Sequence, residues 1–183
     1  MNVPLITPEL VCLDADLGST KAEVITSVAG IIAAAGRADA DGLAHDALDR
    51  EAQSPTGMPG GFAIPHCRSA AVSQPSLGFA RLSPAVDFNG PDGPADLVFM
   101  IAAAEGAGAD HMKLLTKLAR ALVKPEFVEQ LRQATDARTV VDLIESVVEP
   151  DAAAPSSAAV SPASAAPDPA VQAPAVPSQT AGT

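Results

Sequence analysis

Basic residues are scarce in this chain of 183 residues, with 11 Lys and Arg against 22 Asp and Glu and a net charge of −11. A phosphate backbone is bound by clustered Lys and Arg, so the composition argues against a nucleic-acid binder. It leaves room for a basic protein partner. Cysteine is nearly absent: Cys12 and Cys67 make neither a disulfide framework nor a metal motif, as expected of free thiols in a cytosolic protein. No apolar run approaches the ~20 residues of a membrane span. The opening Met1-Asn2-Val3-Pro4 has no basic region ahead of an apolar stretch, which is not the pattern of a signal peptide. A Gly-rich phosphate loop followed by Lys and Ser or Thr is missing, as is the Gly-x-Ser-x-Gly elbow of serine hydrolases.

Lys and Arg vanish altogether from Pro150 onward, where 12 Ala and 7 Pro fill 34 positions. Ala favours helix, but proline every few residues denies it a run. Without aromatics the segment has little apolar area to offset its ordering entropy. Residues 150–183 are therefore predicted to be a disordered linker or tail, and residues 1–149 one domain.

Within the domain, residues 3–13 read as an edge segment or extended arm. Thr20 followed by Glu23 is a capping-box pattern. The helix it opens carries Val24, Val28, Ile31, Ile32 and Ala35 on one side and is stopped by Gly36. Asp41 is expected to cap a second helix that buries Leu43, Ala47 and Leu48 and has Arg50 near its end. A long loop covers 54–61. Strands are predicted over 61–64, 77–82 and 96–103, the last being the best core candidate with Leu97, Val98, Phe99, Met100 and Ile101 in a row. A short strand and turn fill 86–93. Helices are predicted over 110–123, 126–133 and 139–148. Two helices, then strands, then helices argue a layered α/β domain rather than a bundle or barrel.

Histidine is the residue type that could carry chemistry. His66 follows Phe62-Ala63-Ile64-Pro65, where a short apolar strand meets a proline that fixes its own φ and biases Ile64 away from the α region. The ring is either a reactive imidazole held by the backbone or an ordinary turn histidine. His111 opens the long helix after Asp110, a candidate N-cap. A neutral imidazole there could donate to a phosphate, or have no role beyond starting a helix. Arg50 could grip phosphate oxygens or pair with Asp46 or Asp49. Arg68 and Lys113 could face an anion or an acidic partner. Thr56 and Ser54 could donate hydroxyls or merely shape the turn. His45 reads as a solvated helix residue, and the spacing of the three histidines fits no metal-ligand pattern. What is left is a histidine nucleophile with an arginine and a second histidine as anion stabilisers, which is chemistry for phosphoryl transfer through phosphohistidine.

Four blocks share a resemblance. Gly61-Phe62-Ala63-Ile64-Pro65-His66, Arg50-Glu51-Ala52 with Pro55-Thr56-Gly57, Asp96-Leu97-Val98-Phe99, and the helix from His111 to Ala119 all resemble one family. It is the enzyme IIA domain, fructose/mannitol class (EIIA type 2), of the bacterial phosphoenolpyruvate-dependent sugar phosphotransferase system. The likeness spans about residues 5–148. It implies a mixed β-sheet flanked by helices on both sides. It also implies that His66 accepts a phosphoryl group on Nε2 from phospho-HPr and passes it to an enzyme IIB domain. His111 and Arg50 would then stabilise the phosphate, Thr56 would be a hydrogen-bond donor near the site, and neither metal nor cofactor would be needed. The sugar would be recognised by a membrane IIC domain, and the Ala/Pro tail would tether the carrier to IIB. Cys67 stands where many members have glycine, and Pro55 replaces the commoner serine. The alternatives are a nitrogen-related regulatory relative that signals through the same histidine, and a non-catalytic interaction module with the same fold.

Overall fold

The apolar run expected at the core is strand β6 (Ala95–Ala104), and eight of its ten residues are buried. A strand buried at successive positions must have both faces covered. Helices do this in two groups, α1 (Lys21–Ala34) with α2 (Ala40–Gln53), and α3 (Gly108–Leu122) with α4 (Pro125–Gln133) and α5 (Ala137–Val148). The computed structural model describes residues 3–148, so the tail predicted from Pro150 onward lies outside the described residues. Among the described residues no helix is long and apolar enough to cross a membrane.

The sheet is mixed. β1 (Val11–Ala15) runs parallel to β5 (Ser76–Val86), and β5 runs antiparallel to β6. On the other edge of β6 lie two short strands in succession, β3 (Phe62–Ala63) and β4 (His66–Ser69), both parallel to it. β2 (Gly57–Met58) closes that side antiparallel to β3. Phe99 packs edge-on against Phe62 and Phe79, tying the strands on either side of β6 into one core.

Several local readings hold. Thr20 and Glu23 form the full capping box, with Glu23 Oε2 accepting from the amides of Ser19 and Thr20 at 2.7 and 3.0 Å. Gly36 follows the end of α1 at φ +74°, where a Cβ would be strained. Others are corrected. Asp39, not Asp41, caps α2, its Oδ2 accepting from Gly42 N–H at 2.9 Å. The residues around Val86 are not a separate strand but the end of β5, which continues past an irregularity between Arg81 and Val86. The segment expected at 3–13 is a 3-10 turn (Pro8–Leu10) leading into edge strand β1.

The correction that matters for the site concerns Pro65. The strand predicted over 61–64 ends just before Pro65, and proline has no N–H to give the ladder. Its carbonyl still accepts from Ile101 N–H at 3.0 Å, so the ladder skips one donor and resumes. His66 is thus the first residue of β4, in register with Ile101, and not a turn residue.

Two glycines give the packing a signed test. A Cβ on Gly57 would lie 2.5 Å from the Phe88 carbonyl oxygen and 2.6 Å from Gly90 N, backbone that cannot give way. A Cβ on Gly30, inside α1, would meet nothing within 4 Å. Urea unfolding should show Gly57→Ala destabilised by about 1–3 kcal/mol and Gly30→Ala stabilised by about 0.5–1 kcal/mol. Equal effects of the two would contradict the packing described.

Candidate active site

The geometry of His66 is set by its own chain. Its Nδ1 lies 2.8 Å from the carbonyl oxygen of Ile64, two residues back across Pro65. A carbonyl only accepts, so this contact is a hydrogen bond when Nδ1 carries the proton. In the neutral ring Nε2 is then left with a lone pair. The ring is half-buried, on the strand next to the fully covered β6.

The second histidine is beside it. The ring centroids of His66 and His111 are 5.8 Å apart, with their planes inclined at 43°. The expectation for the start of α3 needs correction. The helix begins at Gly108, with Ala107 as a cap that offers no side chain, so Asp110 is its exposed third residue and not its N-cap. His111 is the fourth residue, and its own amide already donates to Ala107 at 3.1 Å. The ring is nonetheless at the positive end of α3, because the helix's leading amides have no intrahelical acceptors.

Burial lowers the pKa of His111 from its ordinary value of 6.5, with smaller contributions from the charges of His66 and Arg68. His111 is therefore neutral at pH 7. Its Nδ1 is enclosed and has no hydrogen-bond partner among the described residues. A buried orphan N–H is rarer in proteins than an under-satisfied acceptor. The proton therefore belongs on Nε2, which makes the ring a neutral donor at the nitrogen that is not enclosed.

Arg50 sits in the last turn of α2, half-buried, with one guanidinium nitrogen 3.2 Å from the Ser54 carbonyl oxygen. The alternative pairing with Asp46 or Asp49 is not formed; Asp49 lies instead 3.4 Å from His45, which is exposed as expected. Arg50 shares a groove of about 470 Å³ with Asp49, Glu105 and the β4 residues Cys67 and Arg68; neither His66 nor His111 lines it. The Cys67 thiol in that groove is held neutral, pushed up to about 11 by burial and, less, by Asp46.

Thr56 is placed differently from the expectation. It is buried, and its hydroxyl gives its proton to Glu51 Oε2 at 2.6 Å, while its amide donates to Oε1 at 3.0 Å. Its carbonyl in turn accepts from Ile64 N–H at 3.1 Å. Thr56 is thus a strut between α2 and the Ile64-Pro65 link that joins β3 to β4, with its proton already committed. Lys113 is not drawn into the groove; it is exposed beside Asp110, at 3.6 Å.

Glu51 is the residue that reading by chemistry passed over. It is 3% exposed, and Lys21 lies 3.4 Å from it while also donating to Asn89 at 2.7 Å. The block Arg50-Glu51-Ala52 contained it, but a Glu late in an amphipathic helix looks like any solvated acid. A groove of about 810 Å³ is lined by Met58, Phe62, Leu122, Val123 and Arg132 among others and includes neither His66 nor His111. Among the described residues no three His, Cys, Asp or Glu are grouped to hold a metal ion.

His66, with Nε2 left open, lies beside the neutral donor ring of His111, and Arg50 lies in the groove lined by Cys67 and Arg68 of the same strand; this is a set of groups suited to carrying a group covalently on an imidazole. Comparison with known proteins gives that class its family. The chain belongs to the type 2 EIIA family of the phosphoenolpyruvate-dependent sugar phosphotransferase system, whose sequence model, described as "Phosphoenolpyruvate-dependent sugar phosphotransferase system, EIIA 2", matches residues 4–147. It is a phosphotransferase component of that system. A relative from Haloferax volcanii, a "PTS system fructose-specific EIIA component", is 38% identical over 151 residues, covering 81% of this chain and 97% of its own length. The "PTS system fructose-specific EIIABC component" of Bacillus subtilis is 39% identical over 126 residues, 68% of this chain but 20% of that protein. Among solved structures, the nitrogen regulatory protein IIA-Ntr of Neisseria meningitidis is similar with a TM-score of 0.71 at 27% identity, covering 76% of this chain and 96% of that one. The IIA mannitol structure from Escherichia coli gives 0.65 at 26% identity, covering 76% and 98%.

Two measurements check the site. In an NMR titration the His111 imidazole should protonate below pH 6.5. The unfolded chain then binds that proton more readily than the folded one, so this group leaves stability unchanged above 6.5 and reduces it as pH falls from there through the lowered folded value. Titration of His111 above 6.5 would contradict the enclosure described. Glu51→Ala should lower unfolding stability by about 1–3 kcal/mol, since it strands the buried Thr56 amide and hydroxyl; a neutral effect by urea unfolding would remove Glu51 as an anchor.

Proposed function

We propose that this chain is a phosphohistidine carrier. It takes a phosphoryl group from phospho-HPr on Nε2 of His66 and hands it to an enzyme IIB domain during fructose-class sugar uptake. The observation that carries the proposal is the 2.8 Å contact between His66 Nδ1 and the Ile64 carbonyl, which leaves Nε2 as the nucleophile.

The Nε2 lone pair attacks phosphorus in line and forms the N–P bond. The bond from phosphorus to the donor histidine breaks, and its electron pair returns to the donor nitrogen. The phosphorylated His66 ring keeps its proton on Nδ1 and becomes more cationic, and the Ile64 carbonyl is already positioned to offset that charge. His111 Nε2–H and the Arg50 guanidinium offset charge on the phosphoryl oxygens, with the positive end of α3 adding to them. Transfer to IIB runs the same steps with the carrier as donor.

Fructose is favoured by the names of the Haloferax and Bacillus relatives. The Bacillus name joins A, B and C components in one protein, which supports IIB as acceptor and a membrane IIC beyond it. The Ala/Pro stretch after Pro150 suits a tether to such a IIB domain, and a cytoplasmic location follows from the same reading. A regulatory reading is favoured by one observation, the likeness to nitrogen regulatory proteins, including one from Pseudomonas aeruginosa 31% identical over 132 residues. The chemistry at His66 would be unchanged, and the acceptor distinguishes the two.

The test is labelling with phosphoenolpyruvate, enzyme I and HPr. Wild type should gain acid-labile phosphate and pass it to a fructose IIB domain. His66→Ala should gain none, and His111→Ala and Arg50→Gln should be labelled about 10- to 100-fold more slowly. Unlabelled wild type would refute the carrier; labelled wild type that no sugar IIB can discharge would favour the regulatory reading.

A further inference from the structure

Side chains alternate along β4. His66 is half-buried, Cys67 buried, Arg68 exposed and Ser69 buried, so His66 and Arg68 leave the same face of the strand. Their Cα atoms are about 6–7 Å apart by the rise of a strand. The Arg68 side chain reaches across to the start of α3. Its Nη1 lies 3.9 Å from where a Cβ on Gly108, the first residue of that helix, would stand. Its charge acts on the His111 ring, whose centroid lies 5.8 Å from that of His66.

This is an unfavourable place for an unpaired cation. The end of α3 is the positive end of its dipole, and a guanidinium there is repelled by it. Among the described residues no carboxylate comes within 4 Å of Arg68; the ion pairs involve Lys21, His45, Arg81, Lys113, Arg132 and Arg138. Asp46, Asp49 and Glu105 line the same groove as Arg68 and Arg50 without pairing with either. Two groups that favour an anion, the helix end and a guanidinium with no carboxylate partner, thus meet beside His111, whose ring is 5.8 Å from the ring that would carry the phosphoryl group.

Resting on the carrier reading above, we propose that Arg68 is a second guanidinium contact to the phosphoryl group on His66, approaching from the α3 side while Arg50 approaches from α2. A phosphoryl group carries its charge on three oxygens, and two planar forks can each bind a different edge of it. Arg68 is then a residue of the transfer chemistry and not a charge for docking the donor protein.

The full chain with Arg68→Gln and with Arg68→Lys should be compared with wild type in transfer from phospho-HPr, reading maximal rate and half-saturating donor concentration separately. Arg68→Gln should lose about tenfold in maximal rate with half-saturation unchanged, and Arg68→Lys should fall between. In ¹⁵N-labelled wild type, the Arg68 side-chain Nε–H signal should shift on phosphorylation and exchange more slowly with water. Unaltered transfer by Arg68→Gln, a change confined to half-saturation, or an Arg68 signal blind to phosphorylation would each overturn the proposal. These outcomes are distinct from failure of wild type to accept phosphate, which would overturn the carrier reading itself.

Discussion

The backbone carbonyl of Ile64 determines what His66 can do. It lies 2.8 Å from Nδ1 and can only accept, so it fixes the tautomer and leaves the other nitrogen nucleophilic. Proline between the two residues sets the geometry, since its ring fixes φ and the strand resumes directly after it. In the proposed carrier the same carbonyl would serve the ring both unloaded and loaded, offsetting the charge that phosphorylation adds.

The rest of the fold supports that contact from three directions. Strand β6 receives β3 and β4 on one edge and holds the histidine in register with Ile101. Below it, the Thr56 carbonyl accepts the Ile64 amide, and Thr56 is itself bound through two hydrogen bonds to buried Glu51 of α2. Opposite, α3 delivers His111 and its positive end. The pair of rings then divides the work by environment. The half-buried ring takes its proton on Nδ1 because of a carbonyl, and the enclosed ring takes its proton on Nε2 because Nδ1 has no partner. Two identical side chains are thereby set up as different tautomers by their surroundings.

Periodicity made the layered α/β architecture legible: the run Leu97 to Ile101 reads as a doubly covered strand, and the Thr20–Glu23 box marks a helix start. The histidine at the end of an apolar strand was legible as well, because Pro65 and the run before it are local signals. What stayed hidden depends on contacts far apart in sequence. That the strand survives Pro65 requires Ile101 of β6 to seek the proline carbonyl, which no local pattern announces. Asp41 reads as the cap of α2, and only the bond from the Gly42 amide shows that Asp39 holds that place. Asp110 looks like a cap for α3, yet the helix starts two residues earlier at Gly108, with no side-chain cap to advertise it. Glu51 looks unexceptional in the sequence, and Thr56 reads there as a hydroxyl donor; that the two bind each other, with Lys21 of α1 and Asn89 of the loop before β6 closing the network, depends on contacts far apart in sequence. The candidate site residues were singled out by their chemistry and the blocks around them, whereas the different environments of the two rings come from contacts and burial.

Long-range ¹H–¹⁵N correlation spectra of the histidine rings, recorded before and after phosphorylation, test the central claim most directly. The account predicts that unphosphorylated, neutral His66 carries its proton on Nδ1 and that phosphorus becomes bonded to its Nε2, with the Nδ1 proton retained. A His66 ring protonated on Nε2 in the free protein, or phosphorus on Nδ1 or on another residue, would contradict it.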